Sequence, residues 1–206
     1  MLEDKYTVYL VDDDASVLRS LSFMLESYDF QVREFASAEA FVAAEIWQQT
    51  GCVILDMRMP GLSGQQLHQL LRQHQSPLAV IYLTGHGDVP LAVDALKQGA
   101  VDFFQKPADG AMLAQAVTKA MQSSQANAIR QQQLQTYQKL TPREREILKL
   151  IAKGYKNQQI ADELFIAVRT VEIHRANLMR GMQVDSLAEL MLTYAAIANT
   201  LAQSDG

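Results

Sequence analysis

Five short apolar segments recur through the first half of the chain: Tyr6–Val11, Gln31–Phe35, Cys52–Leu55, Leu78–Leu83 and Val101–Phe104. They are rich in β-branched and aromatic residues and bounded by turn formers, so each reads as a strand. The stretches 15–28, 38–49, 64–74, 88–98 and 110–121 between and after them carry apolar residues at helical spacing. Several of the strands are apolar without alternation, as a parallel sheet covered on both faces requires. Five such units in succession predict a doubly wound parallel sheet of order 2-1-3-4-5. With 49% apolar and 20% charged residues the chain has the make-up of a globular protein. No run approaches the ~18 apolar residues of a membrane span, so no membrane partner is expected. The acidic opening Met1-Leu2-Glu3-Asp4-Lys5 shows no signal peptide, and the single cysteine, Cys52, allows no internal disulfide. Both features predict a cytoplasmic protein.

The second half has a different character. Residues 1–122 carry a net charge of −7 and residues 123–206 a net of +2, which together make the −5 of the whole chain. This asymmetry predicts two domains with different partners. Between them, residues 123–138 form a polar, Gln-rich stretch without Pro or Gly, read as a partly helical linker. Beyond it every element is a helix. Thr141-Pro142-Arg143-Glu144 is a capping box with Pro at the first helical position, opening a helix that ends near Gly154. Asn157 is expected to cap a short helix through Leu164, and a third helix runs from about Val168 to Gly181. Ser186-Leu187-Ala188-Glu189 opens the last helix, through Ala198.

The residues after the strands converge chemically. The first strand runs into Asp12-Asp13-Asp14, the third into Asp56, the fourth into Thr84 and the fifth into Gln105-Lys106-Pro107. Ligand sites of open α/β sheets lie at these carboxyl ends. Crowded carboxylates repel one another unless a cation neutralises them, and Mg²⁺ suits one or two carboxylates with phosphate oxygens and water. A carboxylate nucleophile at Asp56, with Mg²⁺, Lys106 and the Thr84 hydroxyl to steady the transferring group, suits phosphoryl transfer. Any one of these aspartates alone reads equally well as a helix cap. Their joint occurrence at four neighbouring strand ends favours a site.

Val11-Asp12-Asp13-Asp14, Leu55-Asp56-Met57-Arg58-Met59-Pro60-Gly61, Thr84-Gly85-His86-Gly87-Asp88-Val89-Pro90 and Lys106-Pro107 resemble the receiver domain of bacterial response regulators. The Thr-Gly-His-Gly-Asp-Val-Pro segment is similar to the FixJ-like subfamily. The resemblance spans residues 5–121 and implies an α/β flavodoxin-like receiver over 1–122. It implies Asp56 as phosphoacceptor, Mg²⁺ bound by Asp13, Asp56 and the Arg58 backbone carbonyl with Asp12 acting through water, and Thr84 and Phe103 as a switch pair. A dimer surface would lie on the helix over 88–98 and the following strand, at Val89, Val93, Lys97 and Asp102. Relatives often carry Phe after Lys-Pro, where this chain has Ala108.

In the second half, helices 157–164 and 168–181 stand three residues apart with small Ala161 in the first, the spacing of a helix–turn–helix. On the second of them Val168, Val171, Leu178 and Met182 share one arc and face the core. The opposite arc carries Arg169, Glu172, Ile173, Ala176 and Arg180, edged by Thr170 and Asn177. Arg169, Thr170 and Arg180 suit phosphate contacts, Glu172 a cytosine amino group, and Ile173 or Ala176 a thymine methyl. Arg175 falls on the inner arc, where pairing with Glu144 or Glu146 is expected. The segments 140–148, Gly154, Asn157, Ile160-Ala161, Arg169-Thr170-Val171-Glu172 and His174-Arg175 closely resemble a LuxR-type DNA-binding domain from 139 to about 200, which implies an all-α four-helix unit over 139–206. Such domains insert the third helix into the major groove and dimerise through the fourth. Ala167 stands where relatives place Ser to cap the third helix, a loss of ~1 kcal/mol.

Together the resemblances imply a two-component transcription factor. A sensor histidine kinase would phosphorylate Asp56, a homodimer would form, and a two-fold-symmetric duplex DNA site would be bound, with RNA polymerase as a further partner. The chain itself would not be an enzyme beyond its own phosphorylation and dephosphorylation. An Mg²⁺-dependent aspartyl-phosphate phosphatase would need a general acid such as a second Asp two residues after Asp56, where Arg58 stands. A phosphorylation-independent DNA-binding regulator and an RNA-binding output are the other readings.

Overall fold

A computed structural model describes residues 7–85 and 94–204. The contacts divide the chain into two compact units, Met1–Ala128 and Ile129–Gly206. In the first, strands β1 (Thr7–Val11), β2 (Gln31–Phe35), β3 (Cys52–Asp56), β4 (Ala79–Thr84) and β5 (Asp102–Gln105) form one sheet in the order β2-β1-β3-β4-β5. Every pairing is parallel, with Val11 opposite Leu55, Asp56 opposite Leu83 and Thr84 opposite Gln105. The parallel register is what brings the carboxyl ends of these strands to one edge.

Alternation along each strand sends successive side chains to opposite faces, and both faces are buried. Tyr9, Val11, Val53, Leu55, Val80 and Tyr82 pack on one side with Phe41 of α2 (Ala38–Ala43) and with Leu67 and Leu71 of α3 (Gly64–Gln73). Val8, Leu10, Cys52, Ile54, Ile81 and Leu83 pack on the other with Leu18 and Leu25 of α1 (Ala15–Glu26) and with Leu113 and Val117 of α4 (Gly110–Gln138). Ala108, at the position where relatives often have Phe, packs against this second layer.

The helices begin where the sequence offers caps. Asp14 accepts the Ser16 N–H at 2.7 Å at the start of α1, and Ser37 accepts the Ala40 N–H at 3.1 Å at the start of α2. Two helices end earlier than their periodicity predicts. The stretch expected to be helical over 38–49 stops at Ala43, because Glu45 turns into the left-handed region at φ 50°. The first helix ends at Glu26, before Asp29 does the same at φ 66°. The helix expected over 110–121 instead continues to Gln138. Residues 123–138 are good helix formers throughout, and the buried Ser124 hydroxyl accepts the Gly51 N–H at 2.9 Å.

In the second unit α5 (Pro142–Ala152), α6 (Asn157–Leu164), α7 (Val168–Gly181) and α8 (Leu187–Ser204) enclose a core of Ile147, Leu148, Ile160, Val171, Leu178, Leu190 and Ile197. Leu134 and Tyr137 of the end of α4 join this core. The Thr141–Glu144 capping box is closed in both directions, at 3.2 Å and 2.8 Å. Asn157 is not the cap of α6 but its first residue. Lys156 occupies the cap position, and its N–H donates to Gln159 Oε1 at 2.8 Å, so a side chain inside the helix does the capping.

Candidate functional site

Asp12 and Asp56 end up buried at the carboxyl edge of the sheet, 2% and 8% exposed, while Asp13 beside them is exposed. Their nearest oxygens, one from each carboxylate, lie within 4.8 Å of one another. Lys106, delivered by the turn after β5, reaches across both buried acids: its Nζ lies 2.6 Å from Asp12 Oδ2 and 2.7 Å from Asp56 Oδ2. The Lys106 N–H donates to the Thr84 carbonyl at 2.8 Å, which ties the lysine backbone to the end of β4. Asp12 Oδ1 accepts the Asp14 N–H at 3.0 Å, and Asp56 Oδ1 accepts the Arg58 N–H at 3.2 Å.

The electrostatics follow from this bridge. Burial pulls the Lys106 ammonium downward, but the hydrogen bonds it donates to Asp12 and Asp56 and the charges on those two acids outweigh it and hold its pKa above the usual lysine value. Asp12 shifts up, chiefly by burial and further through Asp56, although Lys106 and the Asp14 N–H oppose the shift. Asp14 is held low by the Ser16 hydroxyl and N–H it accepts, as its role as the cap of α1 requires.

Thr84 is buried at the end of β4, and its hydroxyl donates to the Gly85 carbonyl at 3.0 Å. Phe103 lies opposite Tyr82 in the register and packs, half-buried, against the layer that holds α2 and α3. Thr84 and Phe103 therefore share one face of adjacent strands. Of the surface residues singled out in the sequence, Lys97 is exposed and 3.6 Å from Asp94, and Asp102 is half-buried with its carboxylate on the Phe103 N–H. Val89 and Val93 lie outside the described residues, as do His86 and most of the helix expected over 88–98.

Two contributors to this edge escaped the sequence reading. A Cβ on Gly64 would collide with the Asp56 carbonyl oxygen, so only glycine lets α3 start this close to the end of β3. Its signal was a helix-weakening Gly placed directly after the capping Ser63. Glu39 accepts the Leu62 N–H at 2.7 Å, joining α2 to the loop after Asp56. Its position in the first turn of α2 reads in sequence only as a partner for the helix dipole.

The second unit presents the helix–turn–helix. Ala161 is buried at the crossing of α6 and α7, and Val171, Leu178 and Met182 face the core. Arg169, Glu172, Ile173, Ala176, Asn177 and Arg180 are exposed on the opposite side, with Thr170 half-buried at its margin. Arg169 and Glu172 pair at 3.2 Å across one turn. Ala167 occupies the cap position of α7 and supplies no side-chain hydrogen bond. Arg175 is not paired with Glu144 or Glu146. Glu146 holds Arg143 at 2.9 Å and Glu144 closes the cap on Thr141, so both acids are engaged nearer in sequence. No described helix is long and apolar enough to cross a membrane.

Residues 8–118 match the family model described as the response regulator receiver domain, and residues 138–194 match that of the bacterial regulatory proteins of the luxR family. The chain is 48% identical over 193 residues to the tetrathionate response regulatory protein TtrR of Salmonella typhimurium, covering 94% of each. It is 43% identical over 188 residues to the transcriptional regulatory protein FixJ of Bradyrhizobium diazoefficiens, covering 89% of this chain and 92% of that one. Among solved structures, the response regulator StyR is similar with a TM-score of 0.67 at 39% identity, over 93% of this chain and 98% of that one. Full-length FixJ from B. japonicum gives a TM-score of 0.54 at 41% identity, over 94% and 98%.

Proposed function

The chain belongs to the two-component response regulators that join a receiver to a LuxR-type DNA-binding domain, and from that premise we propose that phosphorylation of Asp56 controls its binding to DNA. A family of transcription regulators implies a sensor kinase and DNA as partners. Receiver domains generally bind Mg²⁺ at an acidic pocket, and this chain has such a cluster in Asp12, Asp13 and Asp56. Our reading assigns residues 1–122 to the receiver, 123–138 to a helical linker and 139–206 to the DNA-binding domain.

The observation that carries the proposal is the bridge of Lys106 between Asp12 and Asp56 with the open carboxylate of Asp13 alongside. An all-oxygen donor set of this size fits a hard divalent cation. Asp13, Asp56 and the Arg58 carbonyl would hold it directly and Asp12 through water. When bound, the cation would neutralise charge on the transferring phosphoryl group. An Asp56 carboxylate oxygen attacks phosphorus as the bond from phosphorus to the donor histidine nitrogen breaks. Lys106 is already positioned to exchange one carboxylate for a phosphoryl oxygen. Thr84 turns its hydroxyl from the Gly85 carbonyl to the new phosphoryl group, and Phe103 turns inward behind it. The surface around Val89, Val93, Lys97 and Asp102 then pairs two receivers. Two α7 helices present Arg169, Thr170 and Arg180 to phosphates and Glu172, Ile173, Ala176 and Asn177 to base edges. Pairing doubles the phosphate contacts available to a weakly basic domain. RNA polymerase is the proposed target of the assembled dimer.

The test is selection from a pool of random duplexes with and without Mg²⁺ and acetyl phosphate. We expect a two-fold-symmetric site enriched much more strongly by the phosphorylated protein. Equal enrichment in both arms would replace this reading with a phosphorylation-independent regulator, and preference for RNA over duplex DNA would overturn the output altogether.

A further inference from the structure

We propose that Glu39 is a positioning residue for the phosphorylation site: its carboxylate clamps the loop over 57–63, which carries the Arg58 carbonyl proposed above as a ligand of the cation. This rests on the cation site proposed above. The inner limb of that loop is tied down by its own backbone. The Met57 N–H donates to the Leu83 carbonyl at 3.1 Å, the Arg58 N–H to Asp56 Oδ1 at 3.2 Å, and the Gly64 N–H to the Met57 carbonyl at 3.3 Å. Met57 and Met59 are buried. The outer limb has less to hold it, since Pro60 has no N–H and Gly61 sits in the left-handed region at φ 74°.

Two successive backbone donors then end the loop, and each meets a side-chain acceptor. The Ser63 N–H goes to Gln66 Oε1 at 2.9 Å, inside the same helix. The Leu62 N–H goes to Glu39 Oε1 at 2.7 Å, on a helix 23 residues earlier. Glu39 is thus a tie from a separate element on the outer limb. A Cβ on Gly61 would run into this same carboxylate oxygen, so the glycine both allows the turn and leaves room for the clamp. The Glu39 carboxyl is held below the usual carboxylate range, first by the Leu62 N–H, which keeps it ionised and accepting at neutral pH. α2 does not depend on Glu39 for its cap, since Ser37 provides that.

The test measures the Mg²⁺ dissociation constant by calorimetry on the full chain, with stability followed in parallel by urea unfolding read from Trp47. Glu39→Ala is expected to weaken Mg²⁺ by about tenfold, the lower end of the worth of one hydrogen bond to a charged acceptor. Glu39→Gln keeps an acceptor oxygen and should bind within about twofold of wild type. Gly61→Ala should weaken Mg²⁺ in the wild-type background by more than in the Glu39→Ala background, because only the first contains the carboxylate it displaces. Mg²⁺ affinity unchanged in Glu39→Ala would overturn the clamp. A loss in Glu39→Gln equal to that in Glu39→Ala would overturn it too, leaving long-range charge as the cause. A wild-type chain that binds no Mg²⁺ would instead sink the cation site and the clamp together.

Discussion

Replacing Lys106 by Met removes the cation that holds two buried carboxylates, and the cost follows from the geometry. At 2.6 Å and 2.7 Å each contact is worth about 6 kcal/mol of attraction at an effective dielectric of about 20, before desolvation is subtracted. Breaking a buried pair by removing one partner costs about 3–5 kcal/mol, because the remaining charge stays buried. The Lys106 side chain is 24% exposed and Asp13 opens the pocket to solvent, so the lower end applies, about 3 kcal/mol. Trp47 is the one tryptophan in the sequence and lies in the first unit, so its fluorescence during urea unfolding reports on that unit alone. In EDTA, Lys106→Met should lose about 3 kcal/mol. Mg²⁺ should then stabilise the variant by more than it stabilises wild type, since it replaces the missing charge. Adding Asp56→Asn to Lys106→Met should recover part of the loss even without metal, by removing one of the stranded carboxylates. A loss below about 0.5 kcal/mol, or an equal Mg²⁺ increment in both proteins, would refute the reasoning.

Other consequences are open to measurement. His68 is buried with its Nδ1 3.1 Å from the Tyr82 hydroxyl, and burial, with the charge of Arg72 adding, lowers its pKa to about 4. Below about pH 6.5 the unfolded chain takes up a proton that the folded chain refuses. The contribution of this residue is therefore fully present above pH 6.5 and falls by about 3 kcal/mol as pH drops towards 4; the difference between wild type and His68→Gln in urea midpoints across that range should show it, and parallel curves would contradict it. Ala167→Ser restores a cap to α7 and should stabilise the second unit by about 1 kcal/mol, followed by thermal unfolding, with no gain refuting the assignment of Ala167 as an empty cap. Arg169→Ala should weaken binding to specific and unrelated duplexes alike and flatten the salt dependence by about one phosphate contact, whereas a loss confined to the selected site would make Arg169 a base reader.

The architecture was legible because strand and helix alternate strictly and because both faces of the sheet are covered. Continuous apolar runs such as Cys52-Val53-Ile54-Leu55 left little choice of partner layer. The pocket was legible because its acids, threonine and lysine all stand at strand ends, which parallel topology brings to one edge. Helix ends were less so. Glu45 and Asp29 stop helices by adopting left-handed backbone, which Glu45 does not announce and Asp29 signals only weakly, and Gln159 caps α6 from inside where Asn157 looked the better candidate. Arg175 illustrates a related limit: it is half-buried, but Glu146, expected as a partner, is held by Arg143 from one turn away. Contacts between elements distant in sequence, such as Glu39 with Leu62 and Gly64 with Asp56, have no periodic signature and arise only in the folded chain.

The central claim is that Asp56 is the switch. Wild type and Asp56→Asn should be incubated with Mg²⁺ and acetyl phosphate, and intact mass and sedimentation velocity recorded on the same samples. A phosphoryl adduct and a monomer-to-dimer shift in wild type, with neither in Asp56→Asn, is the result predicted here. An adduct that persists in Asp56→Asn, or a wild type that stays unmodified, would contradict it.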